Sequence, residues 1–154
     1  RFMFKLRVDY PSREEELRIL RWNVQDEPEE IKPVIQAEDI IHLRSIVRQI
    51  YMDTKIENYI VDLVCASRRP ADYGLPDYTD LIEYGASPRA TISLAVAARA
   101  HAFMRHRGYV TPEDIHAVGK DVLRHRVLIS YEADAREISS EQIVQKIFET
   151  VEIP

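Results

Sequence analysis

The stretch that most constrains the fold runs from Pro88 to about Arg107 and is rich in alanine. Six alanines are interspersed there with larger apolar residues: Ala90, Ala95, Ala97, Ala98, Ala100 and Ala102, with Ile92, Leu94, Val96, Phe103 and Met104. A helix of this composition is apolar on most faces, so it is expected to be the central buried helix of a domain. Ser87 is its predicted N-cap, with Pro88 in the first helical position and Gly108 just after the end. With only four glycines in 154 residues, the chain is predicted to be mostly α.

Capping residues and apolar periodicity predict further helices around this one. A Ser or Thr followed three residues later by Glu or Gln is a capping box, and three such pairs begin predicted helices: Ser12 with Glu15, Thr54 with Glu57, and Ser139 with Gln142. A fourth helix is predicted to follow the cap Thr111. Residues 37–51 form another, with its apolar face inward. The long loop over 69–87 is expected to contain one helical turn near 79–83.

Residues 2–8 alternate in part between apolar and basic side chains, which predicts one β-strand. A lone strand cannot satisfy its own backbone, so this strand is expected to belong to a sheet that the chain lacks. The chain also begins at Arg1 without a methionine. A fragment of something larger is the simpler interpretation.

Charge is unevenly distributed along this chain of net charge −5. Lys and Arg number 9 against 16 Asp and Glu over 12–87, but 7 against 3 over 88–126, and 2 against 6 over 127–154. The section from 88 to 126 is therefore a basic patch that could face a nucleotide, a nucleic acid or an acidic partner. The single Cys65 excludes an internal disulfide and is interpreted as a buried thiol. Together with the lack of a membrane-spanning run or signal peptide, this favours the cytoplasm.

Arg89 stands in the first turn of the alanine-rich helix, where the helix dipole disfavours a cation. An arginine beside the outward amides of a helix start is suited to bind phosphate. The alternative interpretation is a solvated or salt-bridged surface arginine.

Several segments together resemble the C-terminal part of MoxR-family AAA+ ATPases. They are Gly85-Ala86-Ser87-Pro88-Arg89-Ala90 with the following alanine-rich helix, Gly108-Tyr109-Val110-Thr111-Pro112-Glu113-Asp114-Ile115, Val122-Leu123-Arg124-His125-Arg126, and Arg1-Phe2 with Phe4-Lys5-Leu6 and Tyr10-Pro11. The resemblance covers essentially the full chain. It implies a helical bundle like an AAA+ lid over 38–126, a remnant of the α/β ATPase core over 1–26, a linker over 27–37 and a C-terminal extension over 127–154.

The resemblance also implies site residues, a cofactor and partners. Arg89 would be the sensor 2 arginine, which contacts nucleotide phosphate together with Ser87 and Pro88. Arg1 would act in trans as an arginine finger. The full-length protein would use ATP and Mg²⁺, would assemble with its own ATPase core and with neighbouring subunits of a ring, and would remodel an unknown client protein in a chaperone-like way.

The motifs that bind and cleave ATP are absent from this sequence. Gly119-Lys120 is followed by Asp121 and does not complete a P-loop, while Asp26-Glu27 lacks the apolar strand that precedes a Walker B acid. The chain alone is therefore predicted to be inactive as an ATPase, with no tightly bound nucleotide.

Two other functions are compatible with the basic patch. A helical nucleic-acid-binding module over 88–126 is one, although Glu113 and Asp114 at the start of its second helix would face phosphates unfavourably, so nucleic acid is not the preferred partner. A protein-interaction module using the loop over 73–84 and the acidic tail is the other. The five histidines lack the close spacing of metal ligands, so no metal site is predicted and they are expected at the surface.

Overall fold

The computed structural model describes residues 2–24 and 32–154 of the chain. Its helices and strands follow one another as α1 (Arg13–Val24), α2 (Ala37–Val47), α3 (Thr54–Ala66), β1 (Ile82–Tyr84), α4 (Pro88–Met104), α5 (Pro112–Leu123), β2 (Leu128–Ile129), α6 (Tyr131–Ala135) and α7 (Ser140–Thr150). Two 3₁₀ turns, Pro70–Tyr73 and Pro76–Tyr78, lie between α3 and β1. The prediction of a mostly α fold is confirmed.

Helix α4 lies at the centre of the core, as its composition predicts. It packs most extensively on α5 and also on α3, while α7 packs on α5 and α3. The α4 side chains that these neighbours bury are mostly small: Ala90, Ser93, Leu94, Ala97, Ala98 and Ala102. Small side chains let the neighbouring helices approach closely, and the larger residues of α3, α5 and α7 fill the space between them.

The two short strands close the fold on one side. β1 pairs with β2 in an antiparallel arrangement, with Ile82 opposite Ile129 and Tyr84 opposite Leu128. Ile129 of β2 packs against the core, while Leu128 is half exposed. The loop over 69–87, which precedes α4, differs from the prediction. It contains two 3₁₀ turns and β1 instead of a helical turn at 79–83, and buried Leu75 and Leu81 hold it on the core.

The predicted strand over 2–8 is wrong in the described structure, where these residues form no strand. Among the described residues no strand lies beside this segment, so its backbone cannot form a ladder. It instead follows the C-terminal half of α5, with the Lys5 amide donating to the carbonyl oxygen of Asp121 at 2.9 Å. Phe2 and Val8 remain largely exposed.

Helices α1 and α2 form where expected but are not packed as expected. The capping box of α1 is confirmed, since the Ser12 amide donates to Glu15 Oε2 at 2.8 Å, yet α1 buries none of its residues. The prediction that α2 turns its apolar face inward is wrong for Ile40, which is half exposed. No residue of α1 is buried in the described part of the chain, whereas α2 contacts α4 and has Leu43 and Val47 partly buried. Periodicity identifies an apolar face but not how far a partner covers it.

Two local predictions also need correction. The cap of α3 is Asp53 rather than Thr54, because the Asp53 carboxylate accepts a hydrogen bond from the Lys55 amide at 2.9 Å. Cys65 is partly exposed rather than buried. The capping box of Ser139 and Gln142 at α7 is confirmed.

The predicted division of the chain into core remnant, linker, lid and extension stays a prediction. Residues 25–31, where the remnant meets the linker, lie outside the described residues. In the described part of the chain, no helix combines the length and apolar character that a membrane crossing requires.

Candidate functional site

The start of helix α4 presents the three residues that were predicted to meet phosphate. Ser87 has the extended backbone of an N-cap, with φ −77° and ψ 169°, and Pro88 occupies the first turn. The Ser87 carbonyl oxygen accepts from the Ala90 amide at 2.8 Å, but its hydroxyl caps no amide of the first turn. Ser87, Pro88 and Arg89 are all exposed. The helix start is therefore open to an external acceptor.

A buried hydrogen-bonded contact with the end of α3 fixes this helix start. The Ala86 amide donates to Ser67 Oγ at 2.9 Å, and the Ser67 hydroxyl donates to the carbonyl oxygen of Val64 at 2.7 Å. Ser67 and Ala86 are fully buried. Gly85 lies against the same place, since a Cβ there would be only 2.6 Å from the carbonyl carbon of Ser67. The small residues before Arg89 are thus required by close approach of two backbones.

Replacing Gly85 with alanine is therefore expected to destabilise the fold by about 3 kcal/mol, the upper end of the usual cost of overpacking, because backbone atoms cannot move aside as a side chain can. Urea denaturation measures the change. Gly108→Ala is the matched control, since no atom lies within 4 Å of a Cβ built there and its φ is not positive. Equal midpoints for the two variants would contradict the close approach.

No carboxylate neutralises Arg89 among the described residues, where the salt bridges involve other cations. A second arginine lies beside it. Arg126 Nη2 donates to Ser93 Oγ at 3.0 Å, and Ser93 is one helical turn after Arg89 on the same face of α4. Burial, and then the positive charge of Arg89, lower the pKa of Arg126. Two cations without a described acid make this surface suited to an anion.

From the sequence, Arg126 has no predicted role in the site and belongs only to the segment over 122–126 that carries the resemblance. One signal could have found this role. Ser93 is a polar residue in an otherwise apolar helix, and it stands four positions after Arg89. The other predicted site residue, Arg1, lies outside the described residues. Its predicted action in trans stays a prediction.

The basic patch is smaller than its charge count implies, because some of its cations are paired internally. Arg124 lies 2.9 Å from Asp121 and 3.3 Å from Glu141. Arg107 makes a bidentate contact with Asp114, at 2.8 Å from Nη1 to Oδ2 and 2.5 Å from Nη2 to Oδ1. Arg89 and Arg126 remain without a salt bridge in the described structure, as do Arg99, Arg105 and Lys120 elsewhere in the patch.

Asp114 forms a second polar centre, which joins α4 to α5. Its side chain is fully buried and also accepts from the Thr111 amide at 2.8 Å, while His101 Nδ1 lies 2.6 Å from Oδ1. Burial would raise the pKa of Asp114, but hydrogen bonds from Arg107, Thr111 and His101 outweigh it and lower the pKa to about 2. This centre is enclosed and occupied by the protein's own donors, so its role is structural.

The histidines were expected to be simple surface residues, but two of them make contacts between helices. His101 is partly buried against Asp114, and His116 Nε2 lies 2.8 Å from the Tyr59 hydroxyl with its ring packed on Phe148. These contacts connect helices rather than gather ligands. No group of three His, Cys, Asp or Glu side chains able to hold a metal occurs among the described residues.

Comparisons with known proteins agree with this architecture. Residues 79–147 match the AAA lid domain family. Chaperone MoxR1 of Mycobacterium tuberculosis is 38% identical over 154 residues, which are all of this chain and 41% of that protein. Protein MoxR of Methylorubrum extorquens is 37% identical over 116 residues, covering 71% of this chain and 34% of that protein.

A solved structure matches as well. The crystal structure of a candidate ATPase from Cytophaga hutchinsonii superposes with a TM-score of 0.96 at 38% identity, covering 100% of this chain and 47% of that one. The chain thus spans less than half the length of the relatives it matches. It carries the AAA lid domain and is homologous to the C-terminal parts of the MoxR proteins and of this solved structure.

Proposed function

We propose that this chain is the lid-bearing part of an ATPase in which ATP binding and hydrolysis are coupled to chaperone-like remodelling of a client protein. Arg89 is the sensor 2 arginine and contacts a phosphate of the nucleotide, while Ser87 and Pro88 shape the helix start beside it. The observation that carries this proposal is the exposed Arg89 guanidinium, which no described carboxylate neutralises, on a helix start held by the buried contact between Ala86 and Ser67.

Arg89 would let the lid distinguish nucleotide states that differ in the phosphate bound there. A guanidinium group binds phosphate through planar, charge-assisted hydrogen bonds, and the attraction grows with the negative charge of the ligand. Because Arg89 is attached to α4 and α4 is the centre of the lid, binding of a phosphate at Arg89 favours one position of the whole lid. Loss of that phosphate removes the preference.

The rest of the phosphoryl-transfer machinery belongs to a nucleotide-binding core. In this class of reaction, a P-loop lysine, Mg²⁺ and a water-positioning acid stabilise the developing charge. The sequence provides none of these motifs, so we assign ATP and Mg²⁺ binding to such a core and to the neighbouring subunits of a ring. Arg1 is the residue we assign to the neighbour's site.

A first test uses the purified chain. Its ATPase activity is expected to be indistinguishable from that of buffer, because a single arginine cannot replace the P-loop and Mg²⁺. Phosphate release at millimolar ATP measures this, with the Arg89→Ala variant as the matched control for contaminating ATPases. Turnover that the wild-type chain shows and the variant lacks would contradict the proposal.

The deciding test adds a nucleotide-binding core. In a protein that carries this chain behind such a core, Arg89→Ala is expected to reduce ATP turnover strongly. Turnover at the wild-type rate would refute the sensor assignment.

Nucleic acid binding is less well supported by the same geometry. Burial of Asp114 against Arg107 removes one acid from the start of α5, but it also removes one of the free cations. Glu113 remains exposed there. We therefore keep the nucleotide as the preferred anionic ligand of this surface.

A further inference from the structure

Arg126 connects two parts of the chain that are far apart in sequence. Its Nη2 atom donates to the carbonyl oxygen of Phe2 at 2.8 Å and to Ser93 Oγ at 3.0 Å. Ser93 belongs to α4, the helix that carries Arg89. Phe2 directly follows Arg1 in the sequence. One guanidinium group therefore holds both the sensor helix and the backbone next to the predicted trans-acting arginine.

Further contacts hold the same N-terminal segment on α5. His125 Nε2 lies 3.2 Å from the Phe2 carbonyl oxygen, and the Lys5 amide donates to the carbonyl oxygen of Asp121 at 2.9 Å. Met3 and Phe4 are 38% and 40% exposed, while the other apolar side chains of the segment over 2–8 are largely exposed. Apolar contact therefore holds only part of the segment, and the charge-assisted bonds of Arg126 are the strongest type among its polar contacts.

The state of Arg89 influences the group that makes the bridge. Arg89 and Ser93 are neighbours on one face of α4, so the two guanidinium groups share one surface. The Nε atom of Arg126 is buried and has no hydrogen-bond partner among the described residues. An anion at Arg89 would reduce the repulsion between the two cations, which favours Arg126 in its bridging position.

We propose that Arg126 is a positioning residue that transmits the phosphate state of Arg89 to segment 2–8 through its simultaneous hydrogen bonds to Ser93 and Phe2. This proposal rests on the proposed function of Arg89. It links a residue that meets the nucleotide of one subunit to the backbone beside Arg1, which is assigned to the site of the neighbour.

The bridge itself is tested in the chain as it exists. Arg126→Gln is expected to speed hydrogen exchange of the Lys5 amide by roughly tenfold, because charge-assisted bonds then no longer hold the segment. Arg105→Gln, an exposed arginine at the other end of α4, is the matched control and is expected to leave the exchange unchanged. An equal rate in the two variants would overturn the bridge.

Transmission is tested in the ATPase that contains a nucleotide-binding core. A non-hydrolysable ATP analogue is expected to slow exchange of the Lys5 amide about fivefold, a modest coupling between sites. Arg126→Gln and Ser93→Ala should both abolish this effect of the analogue, and in Ser93→Ala, which keeps both cations, the Kd of the analogue should stay near the wild-type value. Ser93→Ala removes only the contact to α4, so it covers the case in which Arg126→Gln perturbs the fold.

Each result has a defined meaning. If the analogue still slows exchange in both variants, the proposal is overturned. If Arg126→Gln lowers the melting temperature but keeps the analogue effect, Arg126 has a purely structural role and the proposal is overturned as well. If Arg89→Ala keeps wild-type turnover, the proposed function fails. The exchange rate of the Lys5 amide without nucleotide still decides separately whether the bridge exists.

Discussion

Replacing Arg89 with alanine, in a protein that joins this chain to a nucleotide-binding core, is expected to lower kcat for ATP hydrolysis about 100-fold, the usual cost of removing one donor that stabilises developing charge. The reason is that Arg89 is the exposed cation at the open start of α4 and has no described carboxylate that competes for it. Steady-state phosphate release across a range of ATP concentrations measures the effect.

Two further variants show whether charge or geometry is responsible. Arg89→Lys keeps a positive charge but loses the planar pair of donors, so it is expected to recover only part of the rate. Arg105→Ala removes an exposed arginine from the opposite end of the same helix and should leave turnover unchanged. If Arg105→Ala and Arg89→Ala lowered kcat equally, general electrostatics rather than a phosphate contact would explain the loss.

Asp114→Asn is expected to destabilise the fold by about 3 kcal/mol, the lower end of the cost of breaking a buried ion pair. The amide group that replaces one oxygen would face Arg107 or the Thr111 amide, both of which are donors, while the charge of Arg107 loses its partner. Urea denaturation measures the loss. Asp134→Asn, on the exposed side of α6, is the matched control and should change stability by less than about 0.5 kcal/mol.

The same carboxylate makes stability depend on pH at the acid end. Its pKa is about 2 in the folded chain against an ordinary value of 3.8, so the unfolded state binds the proton more readily. The stabilisation is complete above pH 4 and is lost as the pH falls from about 4 to about 2, amounting to about 2 kcal/mol. Asp114→Asn should show a shallower decline over this window than the wild-type chain. Parallel curves would contradict the role of Asp114.

Local patterns were sufficient to predict the described helices other than α6, and several of their caps. Ser12 with Glu15 and Ser139 with Gln142 act within one turn, so their effect does not depend on the rest of the chain. The central position of α4 was also predictable from its small apolar side chains, although Ile92, Val96 and Met104 of this helix stay exposed.

Contacts between distant segments were not predictable in the same way. The bond from Arg126 to Phe2 spans 124 positions, and no local pattern indicates it. The sequence places Asp114 at the start of a helix as an acid that would face phosphates unfavourably, whereas Arg107 and His101 pair with it in the core. Ile40 and the strand over 2–8 failed for a related reason, since the burial of a face or the pairing of a strand depends on a partner elsewhere.

The buried bond between Ala86 and Ser67 lies at one end of α4, so a turn of the lid about this bond would displace the far end of the helix most. The helix has 17 residues and is about 25 Å long, and its pivot lies one residue before Ser87. A rotation of roughly 5° about that pivot would move the far end, at Met104, by about 2 Å while Arg89 moves only a small fraction of that distance. Because α4 packs on α3 and α5, these helices would turn with it, and a sub-ångström adjustment at a phosphate would become a displacement of about 2 Å at the opposite end of the lid.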